Sequence, residues 1–124
     1  MSHYHDPSDM KRLRDLRKAA PREFAAWMQL DEIVGIEDGA VPLKMRELIA
    51  VACAHMTQCV YCMEDHVAGA KRAGATKSEV SEAILIAAAL RAGAAGAHGG
   101  LAMKMYDASP DADESAEATP GAAQ

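Results

Sequence analysis

Cys59 and Cys62 lie three residues apart, and His66 follows four residues after the second of them. On a helix, positions i, i+3 and i+4 share a face, so this spacing sets two sulfurs and an imidazole side by side. If the pair falls in a first turn, unpaired backbone N–H groups and the helix dipole stabilise thiolate over thiol. The imidazole can take the proton. One short segment then supplies a nucleophile, a base and a second thiol that closes a disulfide with little backbone movement.

Two other readings stay open beside this one. His55, Cys59, Cys62 and His66 are all zinc-ligand types. On one continuous helix the run from 55 to 66 spans roughly 16 Å, whereas zinc ligands sit ~2 Å from a single ion. A break near Thr57 relaxes that objection. The other alternative is inert packing. Cys53 falls on an apolar helix face and reads as a small core residue. His98, among glycines, is either a turn residue or a visitor to the site from another helix, and His3 and His5 read as inert. Glu47, twelve residues before Cys59, is by itself an ordinary solvated helix residue.

The elements that must position these groups are helical. Pro7 and Pro21 each suit a first helical turn, giving a short polar helix from about Ser8 and a second carrying Phe24, Trp27, Met28 and Ile33. Gly35 to Val41 reads as a loop, and Pro42 opens a helix with Met45, Leu48, Ile49, Ala52 and Cys53 on one apolar face. Thr57 is the expected N-cap of a helix from Gln58 to about Ala73, stopped at Gly74. Thr76 to Glu79 matches a capping box, followed by a helix to about Ala92. Gly93, Gly96, Gly99 and Gly100 should then break it before a last short helix through Leu101, Met103 and Tyr106. No segment alternates with period two. The expected class is all-α, with a polar helical extension over 1–20, a helical domain over 21–107 and a disordered tail over 108–124.

Composition limits the partners. Half of the residues are hydrophobic but only 4% are aromatic, so the core is thin and burial by self-association is expected. The net charge is −5, and the five acids beyond Lys104 account for all of it, leaving a neutral body. That excludes the basic footprint a nucleic-acid binder needs. Lys11, Arg12, Arg14, Arg17, Lys18 and Arg22 read as a solvated helix face. The opening residues, without an apolar run and small-residue cleavage site, do not read as a secretory leader, and the Ala- and Gly-rich stretch from Ala83 to Met103, with Arg91 and His98, reads as too polar for a membrane. An odd cysteine count with one C-x-x-C points to a reducing, cytoplasmic setting. The helix from Glu79 is apolar nearly all round, which favours an oligomer interface.

Glu47, Cys59, Cys62 and His66, with Gly74 and the Ala-rich helix after it, resemble the E-x11-C-x-x-C-x-x-x-H pattern of AhpD-like alkylhydroperoxidases within the carboxymuconolactone decarboxylase family. The likeness covers about Pro42 to Met105. It implies an all-helical fold assembled as a homotrimer or homohexamer, a hydroperoxide substrate, a thiol or dithiol electron donor, and no cofactor or metal. It also implies that Cys62 attacks peroxide, Cys59 resolves the sulfenic acid, and Glu47 with His66 relays protons. Tyr61 stands where the peroxidase pattern has a histidine. The expected function is therefore a thiol-dependent peroxidase or disulfide oxidoreductase, and a decarboxylase-like lyase and a zinc-stabilised non-catalytic oligomeric module are the alternatives.

Overall fold

The computed structural model describes residues 4–111. Most of the expected tail, and His3, lie outside the described residues. Among the described residues the regular elements are all helical: a 3₁₀ turn over Pro7–Arg12, α1 over Leu13–Ala19, α2 over Pro21–Asp31, a 3₁₀ turn over Glu32–Gly35, α3 over Leu43–Thr57, α4 over Val60–Arg72 and α5 over Lys77–Ala108. The chain divides into two units, Met1–Ala89 and Leu90–Gln124.

The centre of the first unit is the α3–α4 hairpin. Val51 and Ala54 of α3 and Gly69 and Ala70 of α4 are buried, and Val51 is the largest side chain fully withdrawn from water. Burying a valine is worth about 1.5–3 kcal/mol, so small residues let the two helices approach closely but contribute little area. Leu48 and Ala52 are half-buried, whereas Met45, Ile49 and Cys53 are exposed. The expected core stripe therefore splits. Its 45, 49, 53 edge lies on the open side of α3, because the face that meets α4 is centred on Val51 and Ala54. Cys53 is a free, exposed thiol and not a core residue.

The junction after α3 also differs from expectation. Helix α3 runs through Thr57, whose hydroxyl bonds back to the Ala54 carbonyl, and Gln58 closes it in the left-handed region at φ 56°. Cys59, not Thr57, caps α4. The far end behaves as expected: α4 stops at Arg72, and Gly74 takes φ 92°, a conformation that a Cβ resists. The Thr76 hydroxyl accepts from Glu79 N–H at 3.1 Å, while the Glu79 carboxylate accepts from Thr76 N–H at 2.8 Å, which completes the capping box. Lys44 of α3 holds the same carboxylate at 3.0 Å, and these bonds keep it below the usual carboxylate range.

Helix α5 does not break at its glycines. Each costs about 1 kcal/mol relative to alanine, but the alanines around them are the strongest helix formers and no proline interrupts the run before Pro110. Contrary to the sequence expectation, α5 is long and apolar enough, at a mean hydropathy of 1.4, to cross a membrane by length and composition alone. Leu85 and Ile86 in the first unit are 66% and 60% exposed, and Leu90 and Met103 in the second are 65% and 62% exposed.

Candidate active site

Cys59 sits at the N-cap of α4 with extended backbone, and its sulfur accepts the Cys62 N–H at 3.3 Å. The sulfur takes the place that a serine or aspartate oxygen fills at other helix starts. Cys59 and Cys62 are joined as a disulfide, with their Cα atoms 5.3 Å apart. Reduction would leave the Cys59 sulfur at the positive end of α4, where a thiolate is favoured.

One turn further along α4, His66 Nδ1 lies 2.9 Å from Glu47 Oε2 of α3. The pair is shielded, with side-chain exposures of 17% and 14%. A carboxylate can only accept, so Nδ1 carries the hydrogen and Nε2 is left as the basic nitrogen. The contact needs a third residue that sequence reasoning did not single out. A Cβ on Gly69 would stand 2.7 Å from both Cδ and Oε2 of Glu47, so only glycine lets that carboxylate lie against α4. A glycine in the interior of a predicted helix was the available signal.

Cys62 and His66 both line an open, largely apolar cavity of about 350 Å³. Its walls include Ile33, Val34, Val41, Ile49 and Cys53, with Arg46 as their cation; Cys59 is not part of the lining. Arg46 builds this wall by donating Nε–H to the Val41 carbonyl at 2.9 Å and Nη1–H to the Ile33 carbonyl at 2.7 Å. Gly39 leaves room for the guanidinium, since a Cβ there would collide with Nη2.

The donors weighed for zinc do not converge. His55 turns its Nδ1 to the Val51 carbonyl at 2.7 Å, and among the described residues no three His, Cys, Asp or Glu side chains group as metal ligands would. His98, in the second unit, bonds the Ala94 carbonyl at 2.8 Å. Tyr61, between the cysteines, does not join the Glu47–His66 pair: its hydroxyl donates to Asp9 at 2.7 Å. That bond, followed by the Asp6 N–H, holds the Asp9 carboxyl below the usual range, and the same bond raises the Tyr61 phenol.

A helical hairpin with a capping cysteine pair on one helix and a glutamate–histidine contact across to the other agrees with the family indicated by comparison: the chain belongs to the carboxymuconolactone decarboxylase family, whose model matches residues 21–104. Among individual proteins, it is 49% identical to uncharacterized protein 4 in cox locus of Paracoccus denitrificans over 82 residues, covering 66% of this chain and 73% of that one. An uncharacterized protein of Cupriavidus necator is 29% identical over 93 residues, covering 75% of this chain and 81% of its own.

Proposed function

We propose that the protein is a thiol-dependent peroxidase or disulfide oxidoreductase that reduces hydroperoxides through Cys62 and Cys59, with His66 and Glu47 handling protons. The observation that carries this reading is the convergence of Cys62 and His66 on one apolar cavity, with Glu47 fixing the imidazole from behind. His66 Nε2 takes the Cys62 thiol proton, the thiolate attacks the terminal peroxide oxygen, an S–O bond forms as O–O breaks, and the leaving alkoxide takes that proton from His66. Cys59 then attacks the sulfenic sulfur; an S–S bond forms, S–O breaks, and water leaves. Two electrons from an external thiol or dithiol reopen the disulfide. The apolar walls suit an organic peroxide, and the capping position of Cys59 suits a resolving thiolate.

The reading extends to a cytoplasmic homo-oligomer, trimeric or hexameric, that binds neither nucleic acid nor membrane. The exposed apolar side chains of α5 support self-association. Peroxide consumption coupled to a dithiol is the direct test. Wild type should turn over, Cys62→Ser should not, and Cys59→Ser should consume one equivalent of peroxide before donor is added, as the Cys62 sulfenic acid and with no intramolecular disulfide; turnover that survives Cys62→Ser would defeat the reading.

Arg46 favours one alternative, a decarboxylase-like lyase, because it puts a cation in the wall of the same cavity. A small carboxylated lactone consumed equally well by wild type and Cys62→Ser would select that alternative.

A further inference from the structure

The N-terminal turn reaches the redox segment through one side chain. Tyr61, the second residue of α4, lies inside the ring that the Cys59–Cys62 disulfide closes. Its hydroxyl donates to Asp9 Oδ2 at 2.7 Å, and that same oxygen accepts the Asp6 N–H at 2.7 Å. The second bond belongs to the capping box of the Pro7–Arg12 turn, whose other half runs from the Asp9 N–H to the Asp6 side chain; Asp6 Oδ1 also accepts the Ser8 N–H at 2.8 Å. A single carboxylate oxygen thus both folds the turn and ties it to the residue between the cysteines. The His5 ring adds an edge contact to the Tyr61 ring, with centroids 6.0 Å apart and planes at 89°.

We propose that Asp9 and Tyr61 form a latch that positions the cysteine-bearing turn and is coupled to its redox state, closing more tightly on the disulfide than on the dithiol. The disulfide ring fixes residues 59–62, so Tyr61 is already oriented for Asp9. Opening the ring returns backbone freedom to those residues, and holding the phenol in place then costs additional conformational entropy. Coupling between two sites is reciprocal. If the disulfide favours the latch, the latch favours the disulfide by the same factor. Asp9 and Tyr61 are positioning residues here: neither touches the cavity that Cys62 and His66 line. The proposal rests on the thiol–disulfide reading of Cys59 and Cys62, whichever oxidant they reduce.

The exchange to measure is protein disulfide plus two glutathione giving protein dithiol plus glutathione disulfide, in which electrons and protons balance. Full-length protein carrying Cys53→Ser is equilibrated in glutathione buffers, quenched, and its free thiols counted by mass after maleimide tagging. Tyr61→Phe keeps the ring and removes the donor. It should move the equilibrium about fivefold toward the dithiol, at the lower end of couplings between sites. Asp9→Ala should move it at least as far in the same direction, since it also removes the Asp6 N–H bond, and the double variant should move no further than Asp9→Ala, because the Asp9–Tyr61 bond is already lost there. As the reciprocal readout, amide exchange over residues 5–12 should speed up on reduction in the parent, and much less in Tyr61→Phe. Variants that follow the parent curve, shifts that multiply in the double variant, or exchange indifferent to reduction would each overturn the latch. A parent that forms no Cys59–Cys62 disulfide in any buffer would overturn the redox reading together with it.

Discussion

The Glu47 carboxylate meets His66 Nδ1 at 2.9 Å across the α3–α4 contact, and Gly69 is the residue that lets it. The sequence separates the two partners by 19 positions; the hairpin removes that distance. With Nδ1 committed, the tautomer is set and Nε2 is the nitrogen left to accept a proton.

His66→Ala should slow alkylation of reduced Cys62 at neutral pH by about tenfold or more, within the range that general-base groups supply. Glu47→Gln should act in the same direction with a smaller effect. The double variant should cost less than the product of the singles, because the two act through one imidazole. Alkylation rate against pH in the three variants and the parent decides this; a Glu47→Gln curve that overlays the parent would reduce Glu47 to a structural role.

Gly69→Ala should destabilise the fold by about 1–3 kcal/mol through overpacking against the Glu47 carboxylate. Adding Glu47→Ala removes the atoms that the new methyl meets, so the double variant should recover part of the loss. Chemical denaturation of the four proteins tests it, and strictly additive effects would mean that the methyl clashes with something else.

One equivalent of organic peroxide should form the Cys59–Cys62 disulfide and leave Cys53 free, because Cys53 sits on α3, five positions before the Gln58 junction, and outside the turn that pairs Cys59 with Cys62. Peptide mapping reads the outcome directly. Since Cys53 lines the cavity with Cys62, a bulky maleimide on Cys53 should also slow reduction of a bulky peroxide more than of hydrogen peroxide. Cys53 recovered in the principal disulfide would contradict the assignment.

Light scattering should find a homo-oligomer at micromolar concentration, and Leu85→Glu with Ile86→Glu should dissociate it, because both side chains are more than half exposed in the single chain. A stable wild-type monomer, or a chain that pellets with lipid vesicles, would refute self-association as the use of α5.

The Asp9–Tyr61 bond carries its own pH dependence. Asp9 is held below the usual carboxylate range, first by Tyr61 and then by Asp6, with His5 lowering it further, whereas burial and the charge of Asp6 oppose the shift. A depressed carboxyl contributes above its unfolded value and loses that contribution as pH falls through the folded one, so the N-terminal turn should stay attached at neutral pH and release only as pH falls below the ordinary aspartate range. Tyr61 is raised, chiefly by Asp9, with Tyr4 and Asp6 adding to it, so its phenol should ionise above the ordinary tyrosine value of about 10. Absorbance titration in a Tyr4→Phe, Tyr106→Phe background would show it. A Tyr61 that ionises like a free phenol would contradict the bond.

The readings that survived were local. The stop at Gly74, the Thr76–Glu79 capping box and the start of α3 after Pro42 follow from backbone chemistry within a few residues, and all three are where the sequence puts them. Cys53 was misplaced because periodicity identifies an apolar stripe but not which edge of it meets a neighbour. The break expected at the α5 glycines failed because the cost of each glycine was counted without the propensity of the alanines between them.

By itself the sequence determined that the chain is helical, that Cys59, Cys62 and His66 share the start of one helix, and, through its likeness to a family, that Glu47 belongs with them. Those are matters of spacing along a chain whose rise and turn per residue are fixed. Only the tertiary structure decided that Gly69 is the floor beneath Glu47, that Arg46 staples the cavity wall, and that Asp9 takes the hydroxyl of Tyr61. Each joins groups on different elements, and such contacts depend on how close two backbones come and which faces they turn to each other, quantities set by packing that no local pattern encodes.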